Sequence, residues 1–310
     1  MSRILLNSEL PKPYMELGSR LNDMDFYLFH MMEDDEYSAK VYEDVTLQNA
    51  VTEVINERES TQQRRIQIFD NSAYEFFVRG ESLDMAKFAS TIVKLHPSHY
   101  LLPDTLMNKD KTIADTEKFI KEYPVHSEPI AVLQGNSIQD FLDCAMIYWN
   151  MGLHNIAIPF HNKFLHDLTS DSGLYWTVVD DFKCEYNVSE LTDDMKYAVG
   201  RIMMVAYLES ILKKFNHVHF LGSHCPFEVK FLQTLVNDWH STVTMDTAYP
   251  VKLAAEGIDM GKEKMKPTCL IDDICELRDN EFAKRMVNNI LLFHKWRKYG
   301  ERGYISTIGN

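Results

Sequence analysis

The feature that most constrains the fold of this chain is a series of short apolar runs, most of which end in a polar residue. The predicted strands are residues 26–30, 66–70, 99–104, 130–134, 156–160, 218–221 and 243–246. Segments compatible with helices lie between them, at 83–95, 112–123, 138–149, 194–215 and 226–239. Strands that alternate with helices of this length indicate βαβ units and a parallel sheet.

The number of strands decides between the two common parallel architectures. Seven strands are visible, and an eighth, weaker one is predicted near residues 268–271. Neither GxGxxG nor GxxxxGK[ST], the phosphate-binding motifs of many open sheets, occurs in the sequence. We therefore predict an α/β fold of the closed type, a (β/α)8 TIM-like barrel with parallel strands.

The chain is expected to form a single domain over residues 1–310, because it contains no low-complexity stretch or linker rich in proline and glycine. Three segments fall outside the repeating units. They are an acidic N-terminal lead-in at about 1–60, an excursion at about 162–193 and a C-terminal helix at about 280–299. The apolar spacing of the last segment predicts a helix that covers the outside of the barrel.

The five cysteines are scattered and no pair has CxxC spacing, as is usual in a reducing compartment. No secretory leader or run long enough to cross a bilayer is recognisable, so we expect no membrane partner and a cytoplasmic location. The formal net charge of −14 argues against a partner made of phosphates. Much of that charge lies at 1–60, with 13 acidic and 5 basic residues, away from the expected site.

Polar residues at the ends of the predicted strands are the candidates for chemistry. In a barrel of this kind the active site lies at the C-terminal ends of the strands, so Asp70, Asp104, Gln134 and Asp246 would meet at one mouth. One carboxylate of a pair can attack the anomeric carbon of a sugar while another moves a proton. An Asp and a Gln can also read the hydrogen-bonding edge of a base.

Four segments around these residues resemble motifs of the tRNA-guanine transglycosylases and their DNA-modifying relatives. The segment DNSAYE, which begins at Asp70, resembles the family's DSGGF/Y, and VLQG at 132–135 resembles VQGG. HFLGSHCP at 219–226 resembles YLMGVGxP, and MDTAYPV at 245–251 resembles FDCVxPTR. The motifs occur in the family's order and span about 180 residues.

The resemblance implies a role for each matching residue. Asp246 would be the nucleophile on the anomeric carbon, and Asp70 the general acid/base that handles the proton of the exchanging base. Asp104 would bind N1 and the 2-amino group of the purine, and Gln134 its six-position oxygen. The residues that the resemblance places against the substrate are Asp104, Gln134, Gly135, Tyr74, Phe160, Leu221 and Gly222, with Tyr74 and Leu221 on the two faces of the base.

Departures from the motifs narrow the resemblance to one branch of the family. The zinc-binding subdomain of the tRNA enzymes is absent, and Pro159 and Phe160 replace a Gly-Gly turn, so only the Phe160 N–H could meet the base oxygen. These features look like the virus-associated branch that exchanges guanine in DNA for a 7-deazaguanine derivative. The resemblance then implies protection of viral DNA from restriction in the host cytoplasm, with no cofactor and no metal.

Other functions remain open on the sequence alone. One is a tRNA-guanine transglycosylase, and another is a barrel that binds a purine or a nucleic acid without catalysis. A third is a metal-dependent hydrolase barrel, because His217 and His219 share one face of a strand, with His224, Cys225 and His161 nearby. The oligomeric state is likewise open.

The charge distribution also bears on how DNA would bind. Residues 257–310 contain 8 acidic and 10 basic residues, among them Lys262, Lys264 and Lys266 after the proposed nucleophile. We expect weak, strongly salt-sensitive binding of DNA at guanine sites, supported by a local basic rim or an accessory protein.

Overall fold

A computed structural model describes residues 2–11, 14, 17–32, 65–169, 191–260 and 280–301. Within these residues eight strands form one parallel sheet, in the order β1-β8-β7-β6-β5-β4-β3-β2. The strands are β1 (Ile4–Ser8), β2 (Asp25–Leu28), β3 (Gln67–Asp70), β4 (His99–Leu101), β5 (Glu128–Val132), β6 (Asn155–Ile158), β7 (His217–Phe220) and β8 (Thr242–Thr247). The predicted parallel (β/α)8 barrel is confirmed.

The two ends of the sheet, β1 and β2, approach each other and nearly close the barrel. The Asp23 N–H donates to the Leu6 carbonyl at 2.9 Å, and the Ser8 N–H donates to Asn22 Oδ1 at 2.8 Å. The backbone groups of β1 that face β2 are thus bonded to residues that precede β2, and no regular ladder of hydrogen bonds joins these two described strands.

Helices cover the outside of the sheet. They are α1 (Gly18–Leu21), α2 (Ala73–Arg79), α3 (Met85–Leu95), α4 (Lys109–Glu122), α5 (Ile138–Asn150), α6 (Lys163–Leu168), α7 (Asp193–Leu212), α8 (Pro226–Val236), α9 (Tyr249–Ala255) and α10 (Asn280–Glu301). Several begin at a side chain that accepts a hydrogen bond from the first turn, namely Asp84, Asn108, Ser137 and Thr192. Such caps explain why the sequence starts helices at these points.

The C-terminal helix α10 lies where the apolar spacing predicts. Its buried residues include Phe282, Met286, Ile290 and Phe293, and the helix packs against α8 and α9. Arg297 on this helix is buried and forms an ion pair with Asp23, together with a 3.0 Å bond to the Ile4 carbonyl. The helix therefore ties β1 to the outer layer of the barrel.

The position of the eighth strand is a correction to the sequence prediction. Residues 4–8, placed in an acidic lead-in, form β1 and pair with β8 along five residues. The run is short and ends in Asn7 and Ser8, both of which are buried in the structure. The segment at 268–271 lies outside the described residues, as does most of the predicted excursion, 170–190.

None of the helices in the described part of the chain combines the length and the apolar character that a membrane span requires.

Candidate active site

A cavity of about 160 Å³ opens at the C-terminal ends of the strands. Residues on or just after all eight strands line it. Eight of the nine residues predicted from the sequence are among them: Asp70, Tyr74, Asp104, Gln134, Phe160, Leu221, Gly222 and Asp246. An apolar cavity of about 150 Å³ holds a benzene molecule, so this space suits a planar ring whose substituents extend through the mouth.

Gly135, the ninth predicted residue, does not line the cavity. A Cβ atom at this position would lie 2.4 Å from Cβ of Asp140, so glycine is required where the loop after β5 meets α5. The Gly135 carbonyl accepts a hydrogen bond from Asn162 Nδ2 at 3.0 Å. In this structure Gly135 shapes the loop that carries Gln134.

Asp246, on β8, is almost fully buried, with 4% of its surface exposed. Its Oδ1 atom accepts the Gly222 N–H at 2.9 Å and lies 3.0 Å from His219 Nε2. Gly222 has φ 62°, a left-handed backbone that favours glycine. The two contacts converge on one oxygen and fix the rotation of the carboxylate.

The loop that carries Gly222 is held from behind by Arg201 of α7. The guanidinium donates to the carbonyls of Leu221 and Gly222, each at 2.6 Å. Arg201 is itself paired with Glu228 of α8, and Ser223 Oγ donates to the same carboxylate at 2.7 Å. Because Arg201 binds the carbonyls on one side, the Gly222 N–H is directed to the other side, where Asp246 lies.

Glu9 is a site residue that the sequence prediction missed. It follows β1 directly, lines the cavity and shares a side-chain hydrogen bond with Asp246. Burial, then the charges of Asp246 and Glu75, raise the pKa of Glu9 well above its usual range. Glu9 therefore favours its protonated form, which can donate to Asp246. The sequence signal for Glu9 is weak, since the apolar run at 4–6 is followed by Asn7 and Ser8 before Glu9 is reached.

Asp70, at the end of β3, is buried among acidic neighbours. Burial raises its pKa well above the usual range, and the charges of Glu75, Asp246 and Asp104 raise it further. The Ser72 N–H donates to Asp70 Oδ2 at 3.1 Å and acts in the opposite direction. The net effect favours a protonated carboxyl group, which is the state that a general acid needs.

The turn after Asp70 has an unusual backbone. Ser72 adopts φ 59° and ψ 32°, in the left-handed region that a residue with a Cβ rarely occupies. Its Oγ atom lies 2.9 Å from His30 Nδ1 and accepts the His30 N–H at 3.2 Å. These contacts hold Ser72 in place, so that its N–H reaches the carboxyl group of Asp70.

Asp104 and Gln134 form a hydrogen-bonded pair in the loops that follow β4 and β5. Gln134 Nε2 donates to Asp104 Oδ2 at 2.8 Å, while Asn71 Nδ2 donates to Oδ1 at 2.9 Å. Burial raises the pKa of Asp104, and these two hydrogen bonds oppose the rise. Both residues lie beyond the ends of β4 and β5 rather than on them, unlike Asp70 and Asp246.

The orientation of the Gln134 amide is set by a strained residue. Its Oε1 accepts the Met107 N–H at 2.9 Å, and Met107 has φ 57°. The Met107 carbonyl accepts a bond from Asn136 Nδ2 at 2.7 Å. A left-handed backbone at methionine costs roughly 1 to 2 kcal/mol. The N–H of this strained residue is the group that orients Gln134.

Aromatic rings form one wall of the cavity. Tyr74 is 40% exposed and stacks on His161, with ring centroids 4.6 Å apart and planes 16° apart. Burial, together with the charges of His224 and Lys252, lowers the pKa of His161 to about 3, so this ring is neutral. Phe160 is buried in the same wall, and Leu221 lines the cavity with them.

Lys252 supplies a positive charge at the cavity wall. The sequence lacks the arginine that follows the nucleophile segment of the transglycosylases, and Lys252 lies two residues beyond Pro250. The charge of Lys252 lowers the pKa of Glu9 and so opposes the effect of Asp246 and Glu75, which raise it. Lys262, Lys264 and Lys266 lie outside the described residues.

The histidines of β7 do not gather as the metal-site alternative requires. His217 and His219 share the inward face of the strand, as predicted, but both rings bond to Thr244 Oγ1, at 2.6 and 2.7 Å. Across the described ranges, no group of three His, Cys, Asp or Glu side chains is arranged to hold a metal ion. The arrangement therefore lends no support to a hydrolase of that type.

The fold and the cavity define a class, a parallel (β/α)8 barrel with a carboxyl-rich site at the C-terminal ends of its strands. No protein-family model matches the chain, and no curated protein matches its sequence.

Proposed function

We propose that this protein is a base-exchange glycosyltransferase that replaces guanine in DNA with a 7-deazaguanine derivative through a covalent glycosyl-aspartate. One observation carries the proposal. An oriented Asp246, an Asp70 whose pKa is raised, and the Asp104–Gln134 pair face one cavity that can hold a planar ring. Nucleophile, acid and base-reading groups are the parts that such a reaction needs.

In the first step a carboxylate oxygen of Asp246 forms a bond to C1′ of the sugar. The C1′–N9 bond breaks, and its electron pair stays with the leaving guanine. Asp70 donates its proton to that base, so neutral guanine leaves and Asp70 becomes a carboxylate. The raised pKa of Asp70 supports this role, because the carboxyl group keeps its proton to a higher pH than an exposed aspartate does.

In the second step the incoming 7-deazaguanine gives its N9 proton to the Asp70 carboxylate. N9 then forms a bond to C1′, the bond between C1′ and Asp246 breaks, and the electron pair returns to the aspartate. Both residues end in their starting protonation states. The contacts of Gly222 and His219 with Asp246 Oδ1 stabilise the carboxylate as a leaving group.

The Asp104–Gln134 pair suits the edge of guanine. N1–H and the 2-amino group are donors, and a carboxylate offers acceptors for both. The six-position oxygen needs a donor. One N–H of Gln134 Nε2 donates to Asp104, and the second can donate to that oxygen, while Oε1 is engaged by the Met107 N–H. The pair therefore favours a base with guanine's pattern over adenine's.

Stacking would hold the faces of the base. Tyr74, which is 40% exposed, and Leu221 both line the cavity. Tyr74 stacks on His161, so we expect a bound base to replace one of these rings as the stacking partner. Stacking contributes about 1 to 3 kcal/mol per base.

The backbone after Asp70 agrees with the motif that this segment resembles. Ser72 stands where the DSGGF/Y motif has its first glycine, and it adopts the left-handed backbone that glycine favours. A glycine at this position, as in the motif, would adopt the same backbone without strain.

The charge of the cavity restricts how DNA can enter. Five carboxyl groups of the described lining face the cavity, those of Glu9, Asp70, Glu75, Asp104 and Asp246. Phosphates are disfavoured among them, so the base and its sugar must enter while the phosphates stay outside. For duplex DNA this requires extrusion of guanine, at a cost of a few kcal/mol for unstacking.

The proposal is tested by incubating guanine-containing DNA and, separately, tRNA with labelled 7-deazaguanine carrying no group, a cyano group or an aminomethyl group. We expect label in DNA, loss of an equal amount of guanine, and neither change with Asp246→Asn. Label in tRNA alone would overturn the DNA assignment. Full activity of Asp246→Asn would overturn the mechanism.

A further inference from the structure

A chain of hydrogen bonds runs beneath Asp246 through the interior of the barrel. His217 Nε2 lies 2.6 Å from Thr244 Oγ1, the same oxygen lies 2.7 Å from His219 Nδ1, and His219 Nε2 lies 3.0 Å from Asp246 Oδ1. All four side chains are buried. The segment HFLGSHCP has histidine where the motif that it resembles begins with tyrosine, so the chain is a departure from that motif.

The register of two strands brings these residues together. His219 on β7 lies opposite Thr244 on β8, and alternate residues of each strand face the barrel interior. Phe26 of β2 stacks on the His219 ring, with centroids 5.2 Å apart and planes 18° apart. Packing and hydrogen bonding thus leave His219 one orientation.

The direction of donation along these hydrogen bonds follows from the protonation of His217, which lies at the end farthest from Asp246. Burial and the charges of His219 and His99 lower the pKa of His217 well below its usual range, so this ring is neutral and carries one proton. Its Nδ1 has no hydrogen-bond partner among the described residues. A buried N–H without an acceptor is costly, so the proton is on Nε2 and is donated to Thr244 Oγ1.

The positions of the Thr244 hydroxyl hydrogen and of the His219 ring proton then follow. Thr244 Oγ1 accepts from His217, so its own hydrogen is donated to His219 Nδ1. His219 Nδ1 is therefore unprotonated, and the ring proton is on Nε2, where it is donated to Asp246 Oδ1. Each group donates to the next, from His217 to the carboxylate.

We propose that His219 is a positioning residue for the nucleophile, and that Thr244 and His217 fix its Nε2–H tautomer. The inference rests on the proposed function in one respect, that Asp246 is the reacting group. With the tautomer fixed, Asp246 Oδ1 always meets a donor, and the carboxylate keeps the orientation set by Gly222. No proton needs to move along the chain during the reaction.

The sharpest variant is Thr244→Val, which removes the hydroxyl while keeping a β-branched side chain. We expect the rate of glycosyl-aspartate formation in a single turnover to fall about 10- to 100-fold, by analogy with the loss of hydrogen-bond partners that orient metal ligands. Binding of DNA should change less than twofold. Thr242→Val, on the exposed end of the same strand, is the matched control and should match the wild type. An unchanged rate in Thr244→Val would overturn the proposal.

A second measurement does not depend on activity. In protein labelled with ¹⁵N-histidine, long-range ¹H–¹⁵N spectra distinguish the two tautomers of each ring. We expect His219 with protonated Nε2 and unprotonated Nδ1 in the wild type, and loss of that pattern in Thr244→Val. If the His219 ring of the wild type is protonated on Nδ1, the proposed order of hydrogen bonds is wrong, even if the enzyme is active. The expected pattern in a protein that exchanges no base would support the chain while the proposed function fails.

A pair of substitutions separates positioning from packing. His219→Gln can still place an N–H near Asp246, whereas His219→Phe keeps a ring against Phe26 but has no donor. We expect His219→Gln to retain a larger fraction of the wild-type rate than His219→Phe, with similar thermal stability. Equal rates in the two variants would show that packing alone matters and would contradict the proposal.

Discussion

Arg201 and Glu228 form an ion pair of 2.7 Å in which neither side chain has any exposed surface. The guanidinium also donates to two loop carbonyls and lies 4.9 Å from the centre of the Phe160 ring. Burying two charges is costly, and the energy is recovered only if every donor and acceptor finds a partner. Arg201 of this pair holds the loop that carries Gly222. The free energy spent on burying the two charges therefore serves to fix the geometry of the site.

Removing one partner of this pair should destabilise the protein strongly. We expect Arg201→Met or Glu228→Gln to lower the free energy of unfolding by about 3 to 5 kcal/mol, because a buried charge is left without its partner. Urea unfolding measures the change. Lys196→Met on the same helix removes an exposed pair with Asp193 and should leave stability unchanged.

The double variant Arg201→Met/Glu228→Leu separates stability from function. It should regain much of the lost stability, since apolar residues can replace a buried pair, while activity stays low because the Gly222 loop is no longer held. Recovery of full activity would contradict a role for Arg201 in orienting the Gly222 N–H.

Asp246→Asn should abolish base exchange, with a loss of roughly 10⁴-fold or more, because an amide oxygen is a far weaker nucleophile than a carboxylate. The wild type, quenched with denaturant before the acceptor base is added, should carry a covalent link to DNA. The variant should carry none. Asp238→Asn, an exposed aspartate after α8, is the control and should behave like the wild type. A denaturation-stable adduct in Asp246→Asn would mean that another residue attacks the sugar.

The pH dependence should follow Asp70. Glycosyl-aspartate formation needs protonated Asp70, and the pKa of Asp70 is raised, so the rate should be highest on the acidic side of that raised pKa and fall as pH rises through it. Asp70→Asn should be about 10²- to 10⁴-fold slower and should lose this alkaline decline. Glu9 has a raised pKa as well, so Glu9→Gln is the matched variant and should keep the decline. A decline that disappears in Glu9→Gln but not in Asp70→Asn would assign the acid to Glu9.

The same residue should limit stability. A carboxyl group whose pKa is raised in the folded state stabilises the fold fully below its ordinary pKa, and that contribution is lost as pH rises through the raised value. Asp70→Asn cannot ionise, so it should be more stable than the wild type at pH 7 to 8, by about 0.5 to 2 kcal/mol. Thermal unfolding at pH 8 and pH 4 tests this, and the difference should vanish at the lower pH. A variant that is less stable at pH 8 would show that the charge of Asp70 is well compensated.

Asp104 should control selectivity for the 2-amino group. We expect Asp104→Asn to reduce kcat/KM for guanine about 10- to 100-fold, since each hydrogen bond to a charged group contributes about 1.5 to 3 kcal/mol. Discrimination between guanine and hypoxanthine, which lacks the 2-amino group, should shrink in parallel. Asp110→Asn, exposed on α4, is the control. Unchanged discrimination in Asp104→Asn would place the purine edge elsewhere in the cavity.

Much of the barrel could be predicted because its signals are local. Seven of the eight strands were found from apolar runs, and the observed strands overlap the predicted ones while differing by at most three residues at either end. Asp70 and Asp246 were identified because a polar residue that ends a buried strand must face the mouth of a parallel barrel. The strand formed by Ile4–Ser8 was missed because its apolar run stops after Leu6 and it ends in buried polar residues whose partner is Asn22.

What the sequence by itself determined is the succession of strands and helices and the residues that end the strands, since both depend on neighbours along the chain. Only the tertiary structure decided how those residues act together. Glu9 meets Asp246 because β1 pairs with β8, and Arg201 reaches Glu228 across 27 positions of the chain. The protonation of the carboxyl groups also depends on burial and on charges carried by other strands, and neither quantity can be read from residues that are neighbours in sequence.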